Sequence, residues 1–340
     1  MKKNNIHIIK ITMLVIVFVN IYNIPTSALS GEISFDNIAE QREIIIVDDE
    51  GDGDYISIQE AVDNASDGDI IHVYSGRYKE TVIRWKKIEL IGISHELGSG
   101  DHTGQPRIDG NNYYDNCINI WDIDACMIQG FEMYHGNYGI SLDNASYTIL
   151  SNNTFFICRE GIRLDGLNAN RSHNTIIENN SFLTSGIGIS SEISSRNVIR
   201  NNEIINCNEG ISLYGGSDNQ ILNNYFSLNG EPSIYFWESG IYLFGTTNTT
   251  INKNLFENNY QGICLFSASN TSVKNNNFRK NSGKNAFAVF TFSTVWEHNY
   301  WDRPRFLPKP VPVIVNFIHI LYDIPIYWFQ LDWHPALIPN

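Results

Sequence analysis

Apolar and polar positions follow one phrase that recurs six times: an apolar pair, a polar residue, Asn-Asn or a near match, one variable residue, then an apolar anchor, usually Phe. The copies are Leu150-Ser151-Asn152-Asn153-Thr154-Phe155, Ile177-Glu178-Asn179-Asn180-Ser181-Phe182 and Ile199-Arg200-Asn201-Asn202-Glu203-Ile204, followed by Ile221-Leu222-Asn223-Asn224-Tyr225-Phe226, Ile251-Asn252-Lys253-Asn254-Leu255-Phe256 and Val273-Lys274-Asn275-Asn276-Asn277-Phe278. A second phrase, Gly-Ile-x-Leu or close to it, begins at Gly139, Gly161, Gly188, Gly210, Gly240 and Gly262. Successive anchors are 27, 22, 22, 30 and 22 residues apart. A basal period near 22 with two insertions marks a solenoid, whose repeats bury their apolar faces only against each other. Cys117-Ile118-Asn119-Ile120 stands 22 residues ahead of Gly139, so seven regular coils are expected over about residues 117–283.

The flanking sequence supplies the ends. A strand is expected from Ile44 to Val47 and a polar turn after it. Ser57-Ile58-Gln59-Glu60 reads as a capping box. Ile58, Ala61, Val62 and Ala65 then carry helical spacing. A short helix over about residues 57–66 would plug the open apolar end of the solenoid. Further strands are expected over 70–74, 80–85, 88–93 and around Ile108. Residues 304–340, rich in aromatics and proline, are expected to form an irregular closing cap. The paired Asn residues suit sharp turns, because Asn tolerates left-handed φ, and stacked amides can form ladders. The Gly column marks a place with no room for a side chain. The insertions, around 165–173 and 228–237, project as loops from a rigid shaft.

Composition narrows the setting. Lys2 and Lys3 precede an apolar run, and Thr26-Ser27-Ala28 offers small residues for cleavage, so residues 1–30 read as a secretory signal. Removing its three lysines takes the formal charge from −14 to about −17. Such a chain lacks the basic stripe that phosphate binding requires, which argues against nucleic acid as a partner. No later stretch is long enough to span a bilayer. Five cysteines are an odd count for an exported chain. Cys158 and Cys207 fall two coils apart, about 9.6 Å at the inter-strand spacing and beyond disulfide reach, so all five are expected to be free core residues. Sequons at Asn64, Asn144, Asn170, Asn248 and Asn270 fit a surface-exposed exported chain.

These residues resemble the right-handed parallel β-helix repeat family, most closely its NosD-like branch, whose members are exported. Tyr55-Ile56-Ser57-Ile58-Gln59-Glu60-Ala61 with Asp69-Ile70-Ile71-His72-Val73-Tyr74-Ser75-Gly76 looks like the usual opening of such helices. Asn299-Tyr300-Trp301-Asp302 looks like their usual exit. The resemblance covers about residues 44–303 and implies an all-β, pectin-lyase-like solenoid. The wider group of carbohydrate-binding proteins and sugar hydrolases includes pectate lyases, polygalacturonases and epimerases. The NosD prototype is associated with copper-site maturation of nitrous oxide reductase. This chain has four Met, and no His/Met/Cys cluster stands out.

Candidate chemistry follows from strand alternation, which turns the third and fifth residues of each Gly-Ile-x-Leu-x phrase outward. The fifth position reads Trp121, Asp143, Asp165, Glu192, Tyr214, Phe244 and Phe266; the third reads Asn119, Ser141, Arg163, Ser190, Ser212, Tyr242 and Cys264. Asp143, Asp165 and Glu192, with Arg163, form the candidate catalytic strip. Trp121, Tyr214, Tyr242, Phe244 and Trp237 of the second insertion are candidate ligand-binding aromatics. Neighbouring coils would approach the short carboxylate separation of retaining glycosidases, and Asp143/Glu192, about 9.6 Å apart at the backbone, could suit inversion. A lyase would use the carboxylates for Ca²⁺ and Arg163 as base. The expected partner is a polysaccharide or other glycan, outside the cell, in the periplasm or at the cell surface. Binding without chemistry, catalysis and a plain solvated spacer all remain open at this point. No metal ligand is assigned. Asp48, Glu50, Asp52 and Gly53 fall on positions 1, 3, 5 and 6 of a calcium loop, but position 12 is Gln59 and not the bidentate Glu the loop needs.

Overall fold

The computed structural model describes residues 42–340 except 85, 99, 111–113, 166–171, 233–237 and 316–325; the segment expected to be a secretory signal and Trp237 therefore lie outside the described residues. The chain from Arg42 onward is a right-handed parallel β-helix. Each regular coil gives three strands, as in Glu160–Asp165, Ile176–Glu178 and Ser181–Leu183. The first two walls join in a 22-stranded sheet and the third forms a ten-stranded one. Every pairing between coils is parallel. Among the described residues no helix is long and apolar enough to cross a membrane.

The two members of each Asn pair do different jobs. The first, as at Asn152, Asn179, Asn201, Asn223 and Asn275, turns the chain with φ of 55–56°. The second points inward and is buried. Asn202 Oδ1 accepts from the backbone N–H and the side-chain amide of Asn180 at 3.0 and 3.1 Å. Asn202 Nδ2 donates to Ile177 O and to Asn224 Oδ1 at 2.9 and 3.0 Å. The same links continue through Asn254 and Asn276 to Asn299. Outside the ladder, in the third wall, the anchor rings of Phe226, Phe256, Phe278 and Trp301 stack with centroids 4.6–5.0 Å apart.

The Gly column is explained by those rings. A Cβ on Gly139 would meet Phe155 Cδ1 at 2.4 Å, and one on Gly161 would meet Phe182 Cδ1 at 2.4 Å. Gly and the following Ile therefore both face the core, and the strand departs there from strict alternation. All five cysteines are buried and free.

Both ends are closed. The helix α1, Ile58–Asn64, buries Ile58, Ala61 and Val62 against the first strands. Ser57 accepts from Glu60 N as a capping box requires. The first-turn N–H groups of Ile58 and Gln59 are satisfied instead by Glu80, from the following coil, each at 2.9 Å. The expected irregular C-terminal cap is corrected: Lys309–Val315 and Ile326–Asp332 pair as an antiparallel hairpin. Its Asp332 Oδ2 accepts from Asn299 N, Asn299 Nδ2 and Trp301 Nε1, at 3.1, 3.0 and 3.0 Å. A carboxylate, which only accepts, is the right terminator for a ladder that presents its last donors. Periodicity could not reveal this hairpin, because it lies outside the repeat.

The division of labour within a pair is testable by urea denaturation. Asn202→Ala leaves the buried Asn180 N–H without a partner and is expected to cost about 1–3 kcal/mol. Asn201→Gly keeps the left-handed turn and should stay within about 0.5 kcal/mol of wild type. Equal losses from the two changes would refute the assignment.

Candidate functional site

Strand register places Trp121, Asp143, Asp165, Glu192, Tyr214, Phe244 and Phe266 in one column on the outer face of the long sheet. Neighbours are one coil apart, about 4.8 Å at the backbone. Trp121 at one end, and Tyr214 and Phe244 further along, are exposed. The three carboxylates between them are partly exposed. Phe244 stacks on Phe266 with centroids 5.2 Å apart and lies 5.8 Å from Tyr214.

Arg163 organises the acids. Its guanidinium lies 2.9 Å from Glu192, 3.4 Å from Glu160 and 3.9 Å from Asp165, and 5.5 Å from the centroid of the Tyr138 ring. Burial opposes its charge, but the hydrogen bond to Glu192 and the charge of Glu160 outweigh this and hold it protonated well above its usual range. Arg163, expected as a lyase base, stands in this structure as a cation paired with three carboxylates. Asp143 is raised by burial and by the neighbouring charges of Asp165 and Asp122.

Tyr242 also departs from expectation. It lies in the outer column but is buried, in a satellite apolar cluster with Cys264, Phe287 and Val289. Its ring contacts Tyr214 edge-on at 5.7 Å, so it supports the aromatic face from beneath. Trp237 lies outside the described residues.

The structure adds a third outward column that strict alternation missed. Because Gly161 and Ile162 both face inward, the residue before the glycine faces outward. Tyr138, Glu160, Ile187 and Glu209 pair in register there. The available signal was the charged residue directly ahead of the glycine, in Glu160-Gly161 and Glu209-Gly210. Ser190 Oγ donates to Glu160. Glu209 is 8% exposed, and its Oε2 finds no hydrogen-bond partner of good geometry among the described residues. Burial pushes the Glu209 carboxyl up to about 7; the nearby Ser212 hydroxyl opposes the rise, and the charges of Glu160 and Glu238 add to it. A carboxyl poised there can give or take a proton near neutrality. None of the acids in the strip belongs to a group close-set enough to hold a cation; among the described residues such groups lie elsewhere.

Comparison with known proteins agrees with the architecture. Residues 116–278 match the family described as right handed beta helix region. No curated protein sequence matches the chain. Among solved structures, the chain is similar to the alginate lyase from Paenibacillus sp. str. FPU-7, at 17% identity and a TM-score of 0.50, covering 70% of this chain and 91% of that one. It is similar to the Streptococcus pneumoniae surface protein and adhesin PfbA, at 15% identity and a TM-score of 0.50, covering 72% and 86%. A point mutant of the periplasmic alginate epimerase AlgG aligns at 11% identity and a TM-score of 0.51, covering 76% and 65%. At these identities the likeness is one of fold.

The Glu209 assignment has a thermodynamic consequence. A carboxyl raised from 4.5 to about 7 by folding favours the folded state while protonated, so its contribution is fully present below pH 4.5 and is lost as pH rises through 7. Glu209→Gln should therefore stabilise the protein at pH 8, by an amount of the order of 2–3 kcal/mol, and make little difference near pH 4. Urea denaturation at both pH values checks this. A constant difference across the range would show that Glu209 titrates normally.

Proposed function

We propose that this is an exported β-helix protein of the NosD-like kind that binds extracellular or cell-envelope polysaccharide along the outer face of its long sheet. The observation that carries the reading is the unbroken column from Trp121 through Asp143, Asp165 and Glu192 to Tyr214 and Phe244. Exposed rings at both ends offer apolar faces for sugar rings, and the acids between them accept hydrogen bonds from hydroxyl groups. The similar folds of an alginate lyase and an alginate epimerase support a polysaccharide ligand. The face carries five carboxyl groups, Asp143, Glu160, Asp165, Glu192 and Glu209, and the Arg163 guanidinium pairs with three of them, so the face favours a neutral or basic glycan over a polyanion.

A second reading, glycan cleavage on the same face, is favoured by Glu209, whose raised carboxyl and unpaired oxygen are what a general acid would need.

A glycan array followed by product analysis on each hit separates the readings. Binding without products supports the first, products support the second, and silence on a broad array would favour a structural or adhesive spacer. On any hit, Tyr214→Ala and Phe244→Ala should each weaken binding by about 1 kcal/mol or more, roughly fivefold. Asp165→Asn should alter affinity modestly. If products form, Glu209→Gln should remove turnover while sparing affinity. Unchanged affinity in both aromatic variants would remove this face as the binding surface.

A further inference from the structure

A second constellation lies at the opposite functional extreme, near the first strand and away from the regular coils. The turn after Ile44–Val47 carries Asp48, Asp49 and Glu50, and the loop after Glu89–Ile93 brings Glu96 and His102 against it. His102 Nδ1 lies 3.0 Å from Glu50 Oε1, 3.5 Å from Glu96 Oε2 and 3.7 Å from Asp49 Oδ1. Oxygens of Asp48, Glu50 and Glu96 lie within 4.8 Å of one another, as do the ligand atoms of Asp49, Glu50 and His102. Glu50 is common to both groups.

Proximity of acids alone would mean little. The independent observation is Asp48. Its side chain is wholly buried. Its Oδ2 accepts from the N–H groups of Gly51 and Asp52, each at 3.1 Å, which fixes the carboxylate. Its Oδ1 is buried with no hydrogen-bond partner, and so is Asp49 Oδ1. An unpaired carboxylate oxygen held out of water is costly unless something positive meets it. Four carboxylates face at most one imidazolium. Asp49 and Glu96 are also held in place by backbone. Asp49 Oδ2 accepts from Arg77 N at 2.8 Å, and Glu96 accepts from Leu97 N and His102 N at 3.0 Å each. Gly76 makes room for Asp49, since a Cβ there would sit 2.2 Å from Asp49 Oδ1. On its outer side His102 lines a cleft of about 520 Å³ with Arg77, Thr103, Gln105 and Arg107, which gives solvent a way in.

We infer that Asp48, Asp49, Glu50, Glu96 and His102 form a divalent-cation site that ties the opening turn to the loop after Glu89–Ile93. Carboxylate oxygens suit Ca²⁺ or Mn²⁺, and an imidazole joining them moves the preference toward Mn²⁺ or Zn²⁺. The site differs from the calcium loop of the sequence pattern: Glu96 and His102, from a distant loop, stand in for the missing acid at Gln59. Its role is structural, and it is independent of the glycan face.

The test is calorimetric titration of the full, chelator-stripped protein with Ca²⁺, Mn²⁺ and Zn²⁺ separately, with thermal midpoints recorded alongside. One equivalent of at least one ion should bind and raise the midpoint. Glu50→Gln and Glu96→Gln should each weaken that binding at least tenfold. Glu50 is exposed enough that its variant keeps the fold, which circular dichroism verifies. His102→Ala should spare Ca²⁺ and weaken Mn²⁺ or Zn²⁺; unchanged affinity for all three ions would remove His102 from the site. No binding of any ion at millimolar concentration, or wild-type affinity in both Gln variants, would overturn the proposal. Neither result touches the glycan reading.

Discussion

The buried asparagine ladder is the constraint on which the rest of the structure depends. A parallel coil must turn sharply between walls, and each turn risks burying backbone groups that no strand can satisfy. Asn meets the need because one side chain both accepts and donates. Asn202 takes the N–H of Asn180 below and donates to the carbonyl of Ile177, then repeats the arrangement with Asn224. Each link is worth only about 1 kcal/mol net, but each also fixes register. A coil that slipped by one residue would orphan donors and acceptors on both sides. The ladder therefore converts local turn chemistry into long-range alignment, and Asp332 ends it with a group that asks for no further donor's partner.

Alignment in turn makes the outer face possible. Because equivalent positions stack at a fixed spacing, residues from Trp121 to Phe266, far apart in sequence, become neighbours without any loop needing to hold them. The cost is electrostatic: acids stacked in register repel. Arg163 resolves this locally by reaching Glu192, Glu160 and Asp165 at once, and the aromatic residues of the next coils dilute the charge further along. Glu209 lies beyond the reach of those ion pairs, and its carboxyl rises instead. One cation thus ties Glu160, Asp165 and Glu192 together, while Glu209, out of its reach, is pushed up toward neutrality by burial.

Much of this was legible in the sequence because the repeat speaks in two independent phrases that agree. The Asn phrase located the turns, the Gly phrase located the long strand, and their spacing set the coils. What failed was the assumption of unbroken alternation. A glycine whose missing Cβ makes room for Phe182 turns two successive residues inward, so Glu160 and Glu209 appeared to belong to the core and were passed over. Tyr242 failed for a different reason. Facing outward is a property of one strand, whereas burial depends on what packs over it, and the cluster of Tyr242, Cys264, Phe287 and Val289 has no periodic signature. The convergence of Glu96 and His102 on the Asp48-Asp49-Glu50 turn was equally invisible, since it joins two loops across an irregular stretch ahead of the regular coils.

The irregular stretch and the regular coils solve the same problem by different means. Within the coils, every buried polar atom of the ladder finds its partner one repeat away, so nothing outside the chain is required. Ahead of Cys117 there is no repeat to supply that partner. Glu80 takes over for the first turn of α1, closing its N–H groups from the next coil. Around Asp48 the balance of donors and acceptors does not close in the same way: Oδ2 is satisfied by backbone, whereas Oδ1 has no hydrogen-bond partner. Acceptors facing acceptors cannot be reconciled by rotating side chains, because carboxylates carry no donor. A proton, a water or a cation can meet such an oxygen, and a cation satisfies several oxygens at once. The solenoid's repeat thus explains both where the fold is self-sufficient and where, having lost its period, it calls on an ion.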